Sequence, residues 1–515
     1  MKKLILCSSI LILFASCQKN QPSETETVTD KEKYRPGYHF TPEKNWINDP
    51  NGLVYYEGEY HLFYQYNPYA NTWGHMSWGH AVSKDLLHWQ HLAVALEEYP
   101  DPPTGDSTMI FSGTAVIDKN NTSKLCDGKD CMIAIYTSNL HKDNQGLTQH
   151  QSLAYSNDKG RSWKRYDKNP VLDIKRKDFR DPKVFWYEPQ QKWVMVLVIP
   201  DVYKVRFYES KNLLEWKQLS EFGPLGDTTR IWECPDLYEL PIETNPGKTK
   251  WVLSLSGGHP QGPKFVGMQY FVGQFDGTSF TPDDPKQPAS YVDYGKDFYA
   301  GIVYNNIPKE DGRTIMIGWV NNWTYANQIP TSVWRGAMSV PRKLSLKETE
   351  NGIRLIQSPI NEIASLRGEE VTDSLASESS AEIELELNTE RSEEVGIKLF
   401  KSVGEETIIG YRVKDQVLFL DRTKSGNVNF NPDFASIEEV KLKPMNGKIK
   451  LHIFIDQSII EVFANDGEAT ISDYVFPETL TSGQAGADYN IETYSKGGSR
   501  APVFKLWKIK SVWTN

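Results

Sequence analysis

Three acidic residues stand in local contexts that could support acid–base chemistry. Asp49 lies in "WINDPNG", Asp181 in "FRDPKVF" and Glu233 in "IWECPDLYEL". Cleavage of a glycosidic bond needs one carboxylic acid to protonate the leaving oxygen and a carboxylate on the other face of the ring. A third carboxylate, here Asp181, could hold sugar hydroxyls near an oxocarbenium-like transition state, with Arg180 beside it to keep it ionised. Glycoside hydrolysis is therefore one candidate chemistry.

Each acid also has a purely structural explanation. The Asn-Asp-Pro-Asn-Gly run around Asp49 is typical of a tight surface turn, because proline fixes φ and glycine tolerates positive φ. Asp181 could form a surface ion pair with Arg180, and Glu233 could be an exposed acid at the end of a strand. These alternatives stay open unless one fold brings the three acids together.

The elements that would have to position these acids are short β-strands. Between residues 34 and 358 helical periodicity is weak, and apolar runs alternate with turns. Such runs are typical of strands that are covered on both faces. The clearest of them span residues 59–68, 131–140, 192–200, 250–258 and 313–322.

A weak internal repeat connects these strands. Each copy is a strand, a polar turn and a second strand that opens on Trp or Phe, and four copies occupy residues 79–92, 152–166, 205–219 and 269–282. The spacing of roughly 50–75 residues suits one blade of a β-propeller, and the stretch 335–346 brings the count to five. We predict an all-β chain with a five-bladed propeller over 34–358, the alternative being a large β-sandwich. Three repeat tryptophans, Trp89, Trp163 and Trp216, are expected in blade cores.

The pattern of polar and apolar residues changes after residue 358. Residues 359–369 are polar and are predicted to form a linker that holds a short helix. From 370 to 515 apolar and polar residues alternate with period two, which is typical of an antiparallel β-sandwich. This second domain could bind sugar, but its apolar strands favour a packing role.

The N-terminus resembles a bacterial lipoprotein signal. Lys2 and Lys3 precede a short apolar run that ends in "LFASC", so we expect cleavage before Cys17, which would then carry lipid. An ordinary secretory signal is the alternative. Residues 18–33 are polar and suit a flexible tether. The expected location is a membrane-anchored protein at the cell surface or in the periplasm.

The composition of the chain limits the classes of partner that it could bind. The 515-residue chain has a net charge of −10, which argues against a nucleic-acid partner and against binding to an anionic membrane other than through a lipid anchor. Aromatic residues make up 12%, enough for β-sheet cores or for platforms that stack on sugars. No metal-binding motif appears, so a metal site is not expected. Whether Cys126 and Cys131 form a disulfide stays open.

The motifs together resemble family 32 of the glycoside hydrolases, the β-fructosidases that include invertases, inulinases and levanases. "WINDPNG", "FSG", "FRDPKV" and "WECPDLYEL" match that family in order and spacing. Further similarity, closest to levanases and exo-inulinases, lies in residues 297–300, 318–344 and 453–467. The resemblance extends over nearly the whole mature chain and implies a propeller followed by a sandwich.

The resemblance implies a retaining mechanism that needs no metal or organic cofactor and gives each acid a role. Asp49 corresponds to the nucleophile, Glu233 to the acid/base and Asp181 to the transition-state stabiliser. Cys234, beside the acid, is expected to be inert. Further residues resemble the fructose-contacting set, although amide and aromatic core roles are their structural alternatives: Asn48, Gln65, Trp73, Phe111, Ser112, Arg180 and either Trp319 or Trp323.

The implied substrates are levan, inulin and possibly sucrose. The stretch 318–344 is similar to exo-acting enzymes that release terminal fructose, while an endo-acting levanase is the alternative. Two other functions are weighed: an inverting arabinan hydrolase on a related scaffold, and a fructan-binding lipoprotein whose acids are structural. The preference for β2,6 or β2,1 linkages stays open.

Overall fold

The computed structural model describes residues 32–100, 106–142, 145–286, 288–350, 352–371, 379–478, 490–498 and 500–513. The predictions for the signal segment, for lipidation of Cys17 and for most of the tether lie outside the described residues. Within the described ranges, no helix is both long enough and apolar enough to cross a lipid bilayer.

Five sheets, antiparallel except for one short pairing in blade 1, follow one another along the chain as the blades of a propeller. Blade 1 contains strands Asn45–Tyr56, Glu59–Asn67, Ser77–Ser83 and Gln90–His91, and the short strand Trp334–Arg335 pairs in parallel with Asn45–Tyr56. Blade 2 contains Tyr99–Pro100, Ser107–Ile117, Met132–Lys142, Gln145–Ser156, Lys164–Arg165 and Leu172–Arg176. Blade 3 contains Arg180–Tyr187, Lys192–Ile199, Lys204–Ser210 and Lys217–Phe222. Blade 4 contains Glu233–Pro241, Thr249–Gly257, Gly267–Phe275, Phe280–Pro282 and Ser290–Tyr291. Blade 5 contains Tyr299–Val303, Thr314–Val320, Ala337–Met338, Arg342–Thr349 and Gly352–Pro359.

Two further sheets pack face to face as a sandwich. One holds, in spatial order, Arg367–Val371, Phe504–Ile509, Ser380–Asn388, Lys448–Asp456, Ile459–Ala464 and Ala469–Tyr474. The other holds Ile437–Lys441, Val417–Lys424, Glu406–Arg412, Ser392–Lys401 and Asn490–Gly497. The helices of the described residues are short 3-10 turns at Glu188–Gln190, Pro200–Val202, Ala326–Gln328 and Asn361–Leu366. The predicted fold class, a five-bladed propeller followed by a sandwich, is confirmed.

Strands are counted outward from the innermost strand of each blade, which in blade 2 is Ser107–Ile117. On this count the five apolar runs singled out in the sequence are the second strands of the five blades. Each pairs with a strand on both sides and is buried along most of its length, as in Lys192–Ile199, where all eight residues are buried. A strand with neighbours on both edges and both faces cannot place polar residues in water, so it loses the alternation of a half-exposed strand. A continuous apolar run in the sequence therefore identifies a strand that has neighbours on both edges within its blade.

The repeat is the turn between the third and fourth strands of blades 1 to 4, and its fourth copy joins Gly267–Phe275 to Phe280–Pro282. Trp89, Trp163 and Trp216 each donate an indole hydrogen bond to the backbone carbonyl three residues earlier, at 3.0–3.1 Å. Their rings are partly buried against the blade cores, as predicted. Blade 5 differs, because the stretch 335–346 contains the short strand Ala337–Met338 and the start of the third strand rather than this turn.

Asn305 joins four blades through hydrogen bonds. Its Nδ2 donates to the Thr114 hydroxyl at 3.2 Å and to the carbonyls of Ala115 and Val184 at 2.8 and 3.1 Å. Its backbone N–H donates to the carbonyl of Leu53. One residue thus links blades 1, 2, 3 and 5.

The connection between the domains differs from the predicted linker. Residues 361–366 form a 3-10 turn, but Arg367–Val371 is already a strand of the sandwich because it pairs with Phe504–Ile509. The N-terminal edge of the predicted propeller range also packs on the sandwich, where Asp456 accepts the backbone N–H groups of residues 37–39 at 2.6–2.9 Å.

Buried ion pairs join the two domains. Arg342 of blade 5 is fully buried and binds Glu461 of the sandwich at 3.1 Å. Arg422 of the sandwich is equally buried and binds Asp297 of the propeller at 2.6 Å. A charge placed in a dry interface needs its partner, so these contacts fix the relative position of the domains. They support the predicted packing role of the sandwich.

A disulfide, which the sequence left open, joins Cys126 to Cys131 and closes the loop between the first two long strands of blade 2. Cys234 is the free cysteine of the described residues, and it is buried.

Candidate active site

A cavity of about 380 Å³ is lined by residues near the start of the innermost strands of blades 1 to 4. Asp49 reaches it from blade 1, Asp181 from blade 3 and Glu233 from blade 4. The other lining residues are Asn48, Gln65, Trp73, Met109, Phe111, Ser112, Asn139, His141, Gly146, Gln149, Lys177, Asp178, Arg180 and Trp323. The fold therefore brings the three predicted acids together in one cavity.

A break in strand register positions these side chains. The innermost strand of every blade carries one near its start, between Ile47 and Pro50, Ile110 and Gly113, Arg180 and Lys183, Glu233 and Asp236, and Tyr299 and Ile302. A β-bulge of this kind bends the strand and re-aims side chains, and such bulges are frequent beside active sites. Two successive residues at each bulge, here called the bulge pair, contribute to the site or adjoin it.

The bulge pairs align the five blades in sequence. The pairs are Asn48–Asp49, Phe111–Ser112, Arg180–Asp181, Glu233–Cys234 and Tyr299–Ala300, and each is followed by proline or glycine. Proline is tolerated at a bulge because no ladder hydrogen bond needs its N–H. Glycine is required at Gly113, where an added Cβ would lie 2.3 Å from the Ile135 carbonyl oxygen. This recurrence of a residue pair before Pro or Gly is a sequence signal that our repeat analysis missed.

Asp49 is held as a buried, hydrogen-bonded carboxyl group. Ser112 Oγ donates to its Oδ2 at 2.6 Å and Asn48 Nδ2 donates to its Oδ1 at 3.0 Å. The Cys234 thiol contacts Oδ2 at 3.3 Å. Burial raises the pKa of Asp49, the nearby Glu233 adds to this, and the Ser112 and Asn48 hydrogen bonds oppose it. One face of the carboxyl remains open to the cavity.

Asp181 sits at the bulge itself, with a left-handed φ of 62°. Its backbone N–H donates to Thr137 Oγ1 at 3.0 Å, and its Oδ2 accepts the backbone N–H of Cys234 at 3.0 Å. Burial raises the pKa of Asp181, while the Arg180 guanidinium, 3.8 Å away, opposes that rise. The strained backbone conformation is held by hydrogen bonds from the neighbouring blades 2 and 4.

Glu233 is the most accessible of the three acids, with 24% of its side chain exposed, against 6% for Asp181. Arg180 Nη2 donates to Oε1 at 3.1 Å and the Tyr299 hydroxyl donates to Oε2 at 2.6 Å. The carboxyl group is thus fixed by the first members of the bulge pairs of blades 3 and 5. An acid that must exchange protons with a leaving group and with water needs this accessibility.

Cys234 lies between the two aspartates. Its sulfur is 3.3 Å from Asp49 Oδ2 and 3.9 Å from Asp181 Oδ2. Burial and the adjacent carboxylates raise the pKa of the thiol well above its ordinary value. A neutral thiol that donates a weak hydrogen bond is a poor nucleophile, which fits the expectation that Cys234 is inert.

The predicted sugar-contacting residues meet at the cavity with one exception. Asn48, Gln65, Trp73, Phe111, Ser112, Arg180 and Trp323 line it. Trp319 does not, and its prediction as a contact residue is wrong: its side chain is fully buried, with its ring 4.9 Å from that of Trp323 and 5.8 Å from that of Trp46. Trp319 therefore supports Trp323 from below.

Several lining residues were missed. Lys177 and Asp178 immediately precede "FRDPKV", and proximity to that motif was an available signal. Asn139, His141 and Gln149 lie on facing strands of blade 2. Their signal is alternation of polar residues in "TSNLHK" and "TQHQS", which continues a strand that is otherwise buried.

One group of potential metal ligands occurs elsewhere among the described residues. Glu382, Glu384 and His452 lie close together on the sandwich. Arg367 already donates to both carboxylate oxygens of Glu382 at 2.6 Å. The guanidinium supplies the positive charge that a metal ion would bring, so this group is explained as an ion-pair cluster.

The geometry suits acid–base and nucleophilic chemistry on a neutral, hydroxyl-rich molecule. A buried carboxyl group, a second buried carboxyl beside an arginine, and a more exposed acid surround one small space lined by amides, a hydroxyl and aromatic rings. Two carboxyl groups on opposite sides of a bound ring are what glycoside hydrolysis requires.

Comparisons with known proteins agree with this geometry. The model of the glycosyl hydrolases family 32 N-terminal domain matches residues 39–359, and that of the family 32 C-terminal domain matches residues 350–511. A levanase of Bacillus subtilis is 47% identical over 502 residues, covering 94% of this chain and 71% of that protein. An extracellular exo-inulinase of Aspergillus awamori is 39% identical, covering 94% of this chain and 96% of that protein.

Solved structures extend the comparison to the fold. The crystal structure of the exo-inulinase from Aspergillus awamori superposes with a TM-score of 0.85 at 39% identity, covering 94% of this chain and all of that chain. A fructofuranosidase from Schwanniomyces occidentalis, solved with fructose, gives a TM-score of 0.80 at 30% identity, covering 93% and 99% of the two chains. The matched domains, the shared fold and the convergent acids show that the chain belongs to glycosyl hydrolase family 32.

Proposed function

We propose that this protein is a retaining β-fructofuranosidase that hydrolyses fructans of the levan and inulin types and also sucrose. The observation that carries the proposal is the convergence of Asp49, Asp181 and Glu233, from three different blades, on one cavity. Relatives that are named levanase, exo-inulinase and invertase support the substrate class.

The first step transfers a fructosyl unit to the enzyme. Glu233 gives its proton to the glycosidic oxygen as the bond to the anomeric carbon breaks, and Asp49 attacks that carbon from the opposite face to form an ester. Asp181 hydrogen-bonds ring hydroxyls as positive charge develops. Ser112 and Asn48 hold the attacking carboxylate in place through the bonds described above.

The second step releases fructose. Glu233, now ionised, removes a proton from water, and the water oxygen attacks the anomeric carbon and displaces Asp49. Two inversions give net retention. The Tyr299 hydroxyl and Arg180 contact both oxygens of Glu233, so the carboxyl keeps one orientation as it changes from acid to base.

We further propose that cleavage is exo-acting. The catalytic cavity, at about 380 Å³, suits one chain end, and the stretch 318–344 is similar to exo-acting enzymes. Chromatography of early products from levan and inulin tests this. Fructose alone is expected, whereas a ladder of oligosaccharides would show the endo-acting alternative.

The role of Glu233 is tested by Glu233→Gln in a reducing-sugar assay on levan, inulin and sucrose. Loss of the general acid should lower kcat by about 10²–10⁴-fold on all three. Glu239→Gln is the matched control, because Glu239 is an exposed residue of the same strand. Full activity of Glu233→Gln would overturn the assignment, and a wild-type enzyme that binds fructan without hydrolysing it would favour a binding protein.

We propose, finally, that the enzyme is a membrane-anchored lipoprotein at the cell surface or in the periplasm. The basic start, the short apolar run and "LFASC" before Cys17 support this. Detergent phase partitioning of the expressed full-length chain tests it. Wild type should enter the detergent phase and Cys17→Ser should not, while equal partitioning of both proteins into the aqueous phase would contradict lipidation.

A further inference from the structure

Blade 2 presents a ladder of polar side chains toward the cavity. Residues Thr137 and Asn139 lie on one strand, and Gln151 and Gln149 lie directly opposite them on the next. The lower rung joins Thr137 to Gln151 at 2.8 Å, and the upper rung joins Gln149 Nε2 to Asn139 Oδ1 at 3.1 Å. All four side chains are at least nine-tenths buried.

Every polar side-chain atom of the lower rung has a hydrogen-bond partner within the protein. Thr137 Oγ1 accepts the backbone N–H of Asp181 at 3.0 Å, and Gln151 Nε2 donates to the carbonyl of Phe179 at 2.8 Å. These hydrogen bonds hold the strand that carries Asp181 in place.

In the upper rung, one amide nitrogen has no hydrogen-bond partner among the described residues. Gln149 Oε1 accepts the backbone N–H of Phe179 at 2.9 Å and an Arg180 N–H at 3.4 Å, and its amide N–H holds Asn139 Oδ1. Asn139 Nδ2 has no hydrogen-bond partner among the described residues, although the side chain lines the cavity and is only 5% exposed. This nitrogen is not among the unpaired side-chain atoms that are closed off from solvent, so it is accessible from the cavity and free to pair with a bound molecule.

Strand register gives the height of this donor. Asn139 lies opposite Met109, whereas the bulge pair of blade 2 lies lower, between the levels of Ile110 and Gly113. The bulge pairs carry the acids, so a terminal fructosyl unit sits at their level and the next sugar unit lies above it. Hydrogen bonds also connect the acid/base to this level, from Glu233 through Arg180 and Gln149 to Asn139.

We propose that Asn139, oriented by Gln149, is a specificity-determining residue that donates a hydrogen bond to a hydroxyl of the leaving-group sugar. The proposal rests on the proposed function, because it assumes that a sugar leaves from the Glu233 side. It predicts that Asn139 raises kcat/KM when the leaving group is a sugar and has no effect on kcat/KM when the leaving group is too small to reach it.

The test compares two substrates that need the same acid catalysis. A fructose disaccharide leaves as a sugar, and methyl β-D-fructofuranoside leaves as methanol. Asn139→Ala should lower kcat/KM about tenfold on the disaccharide, the effect of one lost hydrogen bond, and should leave the methyl fructoside within about twofold. Asn139→Asp, which keeps the shape but removes the donor, should show the same split.

Ser138→Ala is the matched control, because Ser138 is the adjacent buried residue of the same strand and pairs with Ser152 away from the cavity. It should leave both substrates unaffected. Equal losses on both substrates in both Asn139 variants would reduce Asn139 to a structural role, and no loss on either would remove it from recognition. The proposed function fails separately, if Glu233→Gln stays active on both substrates.

Discussion

At the scale of single residues, the site separates its carboxyl groups by environment. Asp49 is buried and held by Ser112 and Asn48, whereas Glu233 is a quarter exposed and held by Arg180 and Tyr299. The buried group is fixed for attack, and the exposed group can exchange protons. Two carboxyl groups in one cavity thus acquire different tasks from their neighbours.

The environment of Asp49 predicts the acid limb of the pH profile. Burial raises the pKa of Asp49, and the Ser112 hydrogen bond opposes that rise. A nucleophile must be ionised, so activity is present above this pKa and is lost as pH falls through it. The acid limb of kcat/KM should therefore lie above the ordinary aspartate value of about 3.9.

Ser112→Ala should move that limb to still higher pH, because it removes the hydrogen bond that favours the ionised form. It should also lower kcat/KM at neutral pH, by about tenfold. A pH–rate series on sucrose for wild type and variant checks both expectations. An unchanged or acid-shifted limb would show that Ser112 does not act on the ionisation of Asp49.

At the scale of elements, much of the propeller could be predicted and its bulges could not. The second strands were visible because burial on both faces leaves a continuous apolar run, as in residues 192–200. A bulge is a shift in the register between two paired strands. The period of the hydrophobic residues along one strand does not reveal such a shift. The recurrence of Pro or Gly after each bulge pair becomes meaningful only once the blades are aligned.

Other misses have similar causes. Trp319 and Trp323 stand in one motif, and which ring faces the cavity depends on how the chain turns after the second strand of blade 5. The predicted linker, 359–369, extends into the first strand of the sandwich, because Arg367–Val371 is a polar edge strand. The partner of that strand lies at the far end of the chain. Local sequence carries no information about so distant a partner.

The bulge of blade 2 gives a prediction at this scale. Gly113→Ala would place a Cβ 2.3 Å from the Ile135 carbonyl oxygen and 2.7 Å from the Tyr136 Cα, both backbone atoms that cannot move aside. We expect a loss of about 1–3 kcal/mol in the free energy of unfolding, and lower activity because Ser112 is displaced from Asp49.

Urea unfolding and a sucrose assay measure both effects. Gly128→Ala is the control, since an added Cβ there meets no atom within 4 Å, and it should leave stability and activity close to wild type. If Gly113→Ala behaves like this control, the bulge does not need glycine.

At the scale of the whole molecule, the sandwich and the propeller share buried charges. Arg422 contacts Asp297 of the propeller at 2.6 Å and Asp473 of the sandwich at 3.5 Å, all of them buried. The residues around positions 297–300 also carry Tyr299, which holds Glu233. The sandwich thereby stabilises a segment that reaches the active site.

Arg422→Met should be strongly destabilising because it leaves carboxylates buried without their partner. We expect a loss of about 3–5 kcal/mol in urea unfolding, together with reduced activity. Lys448→Met, which removes an exposed pair with Glu386 on the sandwich surface, should cost no more than about 1 kcal/mol. Similar losses in the two variants would show that the interface charges are not special.

The central claim is that Asp49 attacks the sugar while Glu233 serves as acid and base. Its most direct test is mass spectrometry of Glu233→Gln after incubation with a fructoside whose leaving group needs no protonation. The ester should then form and persist, because no base activates water to remove it. The account predicts an adduct of one fructosyl unit on the peptide that contains Asp49. An adduct on the peptide of Asp181 or Cys234 instead, or inverted stereochemistry of the product formed by wild type, would contradict it.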